Sequence, residues 1–180
     1  MEIIERTVVL PENLSFIIRE LELKHNKGII HTHNKYELNF IVDAIGKRFV
    51  SGNISKFLPG DLVFMGPDVP HCWEIDNKEN NPKAITIHFN REFFEQFLIN
   101  VPELLFLQQL VKKSHHGLFI RGGDPQKLHA LLSELLNVES SFESILGILK
   151  LLKYIVHKSD FQTLESPGFQ WEVDVPQNQR

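Results

Sequence analysis

The sequence predicts an α+β fold in which strands fill the first half of the chain and helices follow. Short alternating apolar stretches, separated by Gly, Asn and Pro turn signals, continue to about residue 90. Near Arg91 the apolar spacing changes from two residues to three or four. Many short strands with regular turns are typical of a sandwich or barrel. Strands followed by helices place the chain in the α+β class.

The individual strands are predicted from alternation between flanking turn residues. They cover residues 16–23, 36–42, 48–51, 62–65, 72–75 and 84–89. On the strand from Tyr36 to Val42, Glu37, Asn39 and Ile41 share one face, while the other face is apolar. If Glu37 points into a barrel, that apolar face points outward and needs the C-terminal helices as cover.

The second half is predicted to be helical, with one short strand at 117–120. Helices are expected at 91–100 and 102–113, and a third begins at Asp124-Pro125, with Asp at the N-cap and Pro at N1. The last helix starts at Ser140 or Ser141 and ends near Lys158. These elements predict a β-barrel unit over 1–90, a helical dimerisation and cover unit over 91–158, and a linker over 159–180.

Composition limits the function classes. Hydrophobic residues make up 42% of the 180 residues and include 14 Phe, enough for a substantial core. The net charge of −4 argues against nucleic-acid binding by this segment, because phosphate contacts need a basic surface. The single cysteine, Cys72, fits a reducing cytosol. With no apolar run of membrane-spanning length and no signal peptide, we expect a cytoplasmic protein without membrane contact.

The strongest functional pattern is a set of four side chains that can bind a metal: His31, His33, Glu37 and His71. Side chains alternate along a strand, so a continuous strand would present the first three on one face. His71, at the end of Pro67-Asp68-Val69-Pro70, would add a fourth ligand from a neighbouring strand. Three imidazoles and one carboxylate suit a divalent metal such as Zn, Ni, Mn or Fe. The alternative is a metal-free pocket that binds an organic effector by hydrogen bonds.

The same residues carry a family resemblance. His-x-His-x-x-x-Glu, the later Pro59-Gly60-Asp61 and Pro67-x-x-Pro-His71 resemble the two cupin motifs. The wider pattern, from Tyr36 to Trp73 and on through the helices to Phe169, resembles the N-terminal sensor domain of AraC-type bacterial transcription regulators. The resemblance covers nearly the whole chain. It implies a cupin-like double-stranded β-barrel (jelly roll) followed by C-terminal helices.

The resemblance also implies a function. We expect an effector-sensing and dimerisation domain of a transcription regulator, which meets DNA only through a C-terminal helix-turn-helix domain that is not part of this chain. No enzymatic activity is expected on this reading. The alternative is a stand-alone, metal-dependent cupin enzyme, a dioxygenase or isomerase. A third interpretation is a sugar-binding module without a switching role.

Three further residues are candidates for contact with the effector. Trp73 lies two residues after His71 and should share its face, where an indole could stack on a sugar ring or another planar ligand; plain core packing is the alternative. His88 could line the pocket or lie on the surface. Arg48 is expected to be a solvated strand residue, with an effector contact as the alternative reading.

The last helix is predicted to form a homodimer through residues 141–158. Its apolar residues recur at spacings of three and four and form a seam, made of Phe142, Ile145, Leu149, Leu152 and Val156. Ile148, Leu151 and Ile155 form a second stripe beside it. The apolar arc is wider than a helix needs to pack on one barrel, although neighbouring helices of the same chain could cover both stripes.

Overall fold

Two β-sheets form the framework of the molecule in the computed structural model, which describes residues 3–23, 28–76 and 81–169. The five-stranded sheet contains, in spatial order, β1 (Ile4–Glu5), β3 (His31–Thr32), β8 (His71–Ile75), β5 (Gly46–Val50) and β6 (Asn53–Phe57). The six-stranded sheet contains β11 (Ser159–Thr163), β10 (Leu118–Gly122), β7 (Leu62–Met65), β4 (Tyr36–Asp43), β9 (Lys83–Phe89) and β2 (Phe16–Glu22). The predicted α+β class is confirmed by these sheets and the helices that accompany them, and the jelly-roll barrel stays a prediction.

The apolar face of β4 packs under the helices, as the sequence predicted. Tyr36, Leu38 and Phe40 are fully buried in the largest core cluster of the described residues. The same cluster takes in apolar side chains from the 93–111 region and from both long helices, including Leu128, Leu132, Ile148 and Leu151. The six-stranded sheet therefore has its outer face covered by helices, which leaves its inner face toward the five-stranded sheet.

The first part of the helical half is less regular than the spacing of apolar residues suggested. The stretch predicted as a helix over 91–100 contains a π-helical turn at Phe93–Phe97 and a 3₁₀ turn at Leu98–Asn100. The next one opens as a 3₁₀ segment at Pro102–Leu107 before α1 (Gln108–Ser114). The third is α2 (Pro125–Leu136), where the Asp124 side chain accepts a hydrogen bond from the Gln126 amide, as predicted for this N-cap.

The last helix, α3 (Ser141–Lys158), has the predicted bounds and uses its two stripes differently. The second stripe, Ile148, Leu151 and Ile155, is completely buried in the chain's own core. The first stripe is divided: Leu152 is buried, Leu149 and Val156 are half-buried, and Phe142 is 67% exposed. No helix among the described residues has the length and apolar character to span a membrane.

The segment after α3 corrects the linker predicted from residue 159 onward. Residues 159–163 form β11, which pairs along its whole length with β10. Leu164 is then buried, and the Phe169 ring packs edge-on against Phe49 with centroids 5.6 Å apart. Pairing with β10 satisfies the backbone of this polar strand, and no local pattern in the sequence revealed that pairing. The rest of the predicted linker, 170–180, lies outside the described residues.

A hairpin in the five-stranded sheet was also missed. β6 pairs with β5 across a two-residue turn, in which Ser51 and Gly52 both have positive φ angles of 50° and 81°. Two consecutive positive φ angles match the twist of a tight hairpin. The exposed Ile54 and the intervening polar residues gave β6 too weak a periodicity to stand out.

Candidate metal and ligand site

The four predicted ligands come together, but not because they lie along one strand. His31 belongs to β3 in the five-stranded sheet, whereas Glu37 belongs to β4 in the six-stranded sheet. The chain crosses between the sheets at residues 33–35, so the parity argument that placed all three side chains on one strand is wrong. The crossing itself brings them together, because both sheets turn these side chains toward the space between them.

Glu37 lies at the centre of the cluster. Its Oε2 atom accepts a hydrogen bond from His33 Nε2 at 2.7 Å and lies 3.4 Å from His71 Nε2 and 3.2 Å from His88 Nε2. Its other oxygen accepts a hydrogen bond from the Asn39 amide at 3.2 Å. Burial would raise the pKa of this carboxyl, but attraction to His71 and the imidazole hydrogen bonds hold its pKa well below the usual value. The group is therefore a buried carboxylate at neutral pH.

Two of the histidines are oriented by backbone carbonyls. His71 Nδ1 donates to Val69 O at 2.8 Å, and His31 Nδ1 donates to Ile29 O at 3.0 Å. In a neutral ring this leaves the lone pair on Nε2, the arrangement that metal-binding histidines commonly have. Burial and the neighbouring His71 lower the pKa of His31 to about 3, which keeps that ring neutral and able to bind a metal.

These side chains fit a divalent metal ion. Two groups of residues have donor atoms that all lie within 4.8 Å of one another: His31, His33 and His71, and His33, Glu37 and His88. His71 Nε2 is buried without a hydrogen-bond partner among the described residues and faces the Glu37 oxygen. Two lone pairs that face each other are stabilised by a positive charge, which a proton or an ion bound in the cluster can supply. A bound ion would supply Lewis-acid chemistry and an anchor for oxygen ligands.

A cavity of about 280 Å³ opens next to the cluster. It is lined by the candidate ligand side chains and by Asn39, Trp73 and Thr86, with Arg6 and Val8 from the N-terminal segment. Asn39 Oδ1, Trp73 Nε1 and Thr86 Oγ1 are buried there without hydrogen-bond partners among the described residues. Unpaired buried polar atoms cost free energy, so these three atoms are ready to hydrogen-bond a small polar ligand. Trp73 shares the cavity with His71, as predicted.

Arg48 corrects the prediction of a solvated strand residue. It is 3% exposed, forms an ion pair with the buried Asp61 and places its guanidinium over the Phe119 ring, 4.3 Å from the centroid. Arg48 itself does not line the 280 Å³ cavity, although Trp73, its partner across β5 and β8, does. Arg48 is thus a buried structural charge beside the site. Asp61, read only as part of a Pro-Gly-Asp turn, is its partner.

His88 also departs from the favoured surface position. It is half-buried, lines the cavity and lies within contact distance of Glu37. Its place in the site follows from the strand register, because β4 and β9 pair Glu37 directly with His88. Residues in direct cross-strand register have their side chains on the same face, but the sequence does not reveal that these two strands are neighbours.

Comparison with known proteins gives limited similarity. No protein-family model and no curated protein matches the chain. Among solved structures, an RmlC-like cupin from Shewanella frigidimarina is similar at 21% identity over 44% of this chain and 71% of its own, with a TM-score of 0.37. ToxT from Vibrio cholerae is similar at 13% identity over 79% of this chain, with a TM-score of 0.49. The AraC-like transcriptional activator CuxR is similar at 10% identity over 68% of this chain, with a TM-score of 0.43. This chain spans 58% of the ToxT chain and 41% of the CuxR chain.

Proposed function

We propose that this chain is the effector-sensing and dimerisation domain of a DNA-binding transcription regulator, with a small ligand bound inside a cupin-like jelly-roll barrel. The observation that most supports this proposal is the polar cavity beside Glu37, where three buried polar atoms have no hydrogen-bond partner among the described residues. A ligand with both hydrogen-bond donors and acceptors, such as a sugar, would satisfy them. The resemblance of the sequence to AraC-type sensor domains supports the regulatory role.

Sensing requires the effector to distinguish two states of the domain. A ligand shifts an equilibrium only by its difference in affinity between the states. Here the cavity is lined by both sheets and by the N-terminal segment, which pairs with β3 through β1. A ligand that contacts all three would favour the state in which they are close. The helical layer, which packs on the six-stranded sheet, would carry that change toward the end of the chain.

Ligand binding can be tested with the full chain and a panel of sugars and small hydroxy acids, screened by thermal shift and measured by calorimetry. Trp73→Phe keeps an aromatic ring, although a smaller one, and removes the Nε1 donor, and we expect at least about a tenfold loss of affinity for a ligand that uses it. Ile54→Ala, on the exposed edge of β6, is the matched control and should bind as the wild type does. If Trp73→Phe and Ile54→Ala bind equally well, the ligand does not use Trp73 Nε1, which contradicts the proposed mode of binding.

The regulatory role can be tested separately from the pocket. We expect the reading frame that encodes this chain to continue beyond residue 180 into a helix-turn-helix domain. The chain alone should not retain duplex DNA in a gel-shift assay at low salt, where nonspecific attraction is strongest. Micromolar retention, or a reading frame that ends without a DNA-binding domain, would contradict the proposal.

The homodimer through α3 is part of the same proposal. Ile148 and Leu151 are completely buried in the chain itself, so the partner surface has to use the first stripe, in which Phe142 is exposed and Leu149 half-buried. Light scattering at tens of micromolar should give a dimer for the wild type and a folded monomer for Phe142→Lys with Leu149→Lys. Glu143→Lys adds the same charge beside the stripe and should remain dimeric. A wild type that is monomeric throughout contradicts the dimer.

A metal-dependent cupin enzyme is the alternative, and the two groups of potential metal ligands favour it. In this role the open coordination positions of the ion would hold a substrate rather than an effector. Incubation of the metal-loaded chain with candidate substrates of dioxygenases and isomerases would decide the matter. Turnover that disappears in His33→Ala supports the enzyme, whereas stable binding of an unchanged ligand supports the sensor.

A further inference from the structure

The cluster of potential metal ligands is built from two cross-strand pairs, one in each sheet. In the five-stranded sheet, β3 and β8 place His31 directly opposite His71. In the six-stranded sheet, β4 and β9 place Glu37 directly opposite His88. His33 lies in the crossing segment between them, with its ring centroid 5.0 Å from that of His71 and 5.2 Å from that of His88. His33 is therefore within reach of both pairs.

We propose that the cluster offers two overlapping metal positions, and that the one on the six-stranded sheet, held by His33, Glu37 and His88, is a site that neither sequence motif describes. This inference depends on metal binding by the candidate site described above. His31, His33 and His71 form the other position. His88 comes from β9, outside the stretches that resemble the cupin motifs. The structure thus separates Glu37 from His31, although the sequence placed both in one ligand set.

Geometry supports the position on the six-stranded sheet. The Glu37 oxygen is 2.7 Å from His33 Nε2 and 3.2 Å from His88 Nε2, and both nitrogens are closer to it than His71 Nε2 at 3.4 Å. An ion between these three groups needs only a small movement of the side chains, because nitrogen and oxygen ligands lie about 2.0–2.2 Å from zinc. His88 remains partly accessible at the edge of the cavity, which gives the ion a path of entry.

The two positions differ in chemistry. Two histidines and one carboxylate with open coordination positions suit Fe²⁺ and also Mn²⁺ or Zn²⁺, and the carboxylate offsets one charge of a divalent ion. Three neutral imidazoles offset none, and they suit Zn²⁺ or Ni²⁺. Since burial makes an uncompensated charge costly, we infer that the position with Glu37 binds the ion more tightly.

The test is a titration of the metal-free chain with Co²⁺ and Zn²⁺, followed by the Co²⁺ absorption spectrum and by competition with a chelator. We expect His88→Ala and Glu37→Gln each to weaken binding at least about tenfold and to change the Co²⁺ spectrum. His31→Ala should retain most of the affinity and the spectrum. His33→Ala should lose the most, because both positions use this residue. His115→Ala removes an exposed histidine outside the cluster and is the control for the loss of any one histidine.

The outcomes separate this inference from the proposed function. Wild-type affinity and spectrum in His88→Ala, with both lost in His31→Ala, would overturn it and place the ion on the five-stranded sheet alone. A wild type that binds no ion also overturns it, while ligand binding in the cavity is measured independently through Trp73→Phe. His88→Gln, which preserves much of the packing, is the second variant, and circular dichroism verifies that each variant is folded.

Discussion

The two faces of the six-stranded sheet are built in opposite ways. On the outer face, Leu38 and Ile87 are paired across β4 and β9 and are fully buried in the core cluster beneath the helices. On the inner face of the same strands, Asn39 pairs with Thr86, and both carry buried polar atoms without partners among the described residues. Adjacent residues on the same strand thus belong to two different layers: a closely packed apolar core, and a polar layer with unpaired hydrogen-bonding atoms.

This difference assigns separate tasks to the two faces. Close packing on the outer face stabilises the fold, and each large apolar side chain contributes to this. The inner face places ionisable and polar groups where water has little access, which costs stability unless something binds there. Residues on the outer face should therefore control the free energy of unfolding, and residues on the inner face should control ligand and metal affinity.

The largest effect is expected on the outer face. Ile87→Ala removes a completely buried side chain from the core under the helices. Loss of transfer free energy together with the resulting cavity should lower the free energy of unfolding by about 2–5 kcal/mol. Urea denaturation followed by circular dichroism measures this change. A loss below about 1 kcal/mol would mean that the helical layer is loosely packed, and the contrast between the faces would not hold.

The next effect concerns the buried ion pair beside the site. Burial raises the pKa of Asp61 to about 6 even though the guanidinium of Arg48 opposes the shift. The folded chain then holds this proton at pH values where the unfolded chain has released it. Stability contributed by Asp61 should therefore fall as pH rises from about 4 to about 6, by roughly 2–3 kcal/mol.

The measurement for Asp61 is the difference in unfolding free energy between wild type and Asp61→Asn across that pH range. Asn cannot titrate, so the subtraction removes the contributions of all other groups. A difference that moves in favour of the wild type as pH rises would show that Arg48 dominates and that the pKa of Asp61 is lowered.

A smaller effect tests the helical layer that covers the outer face. Asp124 caps α2 through a hydrogen bond of 2.9 Å to the Gln126 amide. Asp124→Ala leaves this amide unpaired and should cost about 1 kcal/mol, whereas Asp124→Asn retains an acceptor and should cost much less. Thermal denaturation of the two variants compares them directly. Equal losses would indicate that charge, rather than the cap hydrogen bond, stabilises the helix.

The smallest stability effect is expected on the inner face, one residue from Ile87. Thr86→Val replaces a hydroxyl that has no partner among the described residues with a methyl of similar size. The free energy of unfolding should remain within about 1 kcal/mol of the wild type, because no hydrogen bond is lost. Affinity for a ligand that bonds this hydroxyl should fall. A destabilisation of about 2 kcal/mol or more, the cost of losing a buried hydrogen bond, would show that the hydroxyl is already paired.

Much of the fold could be predicted from local patterns. Alternation from Tyr36 to Val42 identified both the strand and its apolar face, and Asp124-Pro125 identified the start of α2. The polar strand Ser159–Thr163 was missed because its stability comes from pairing with β10, about forty residues earlier in the chain. Arg48 was misplaced for a similar reason, since its burial depends on Asp61 in the turn before β7 and on Phe119 in β10.

The sequence by itself determined which side chains are available at the site and that His31, His33, Glu37 and His71 belong together. Only the tertiary structure decided how they are grouped. The chain crosses between two sheets after β3, so Glu37 is paired with His88 while His31 is paired with His71. Alternation fixes the face of a residue within its own strand, but the neighbour across the strand depends on register and sheet order, which arise from long-range packing.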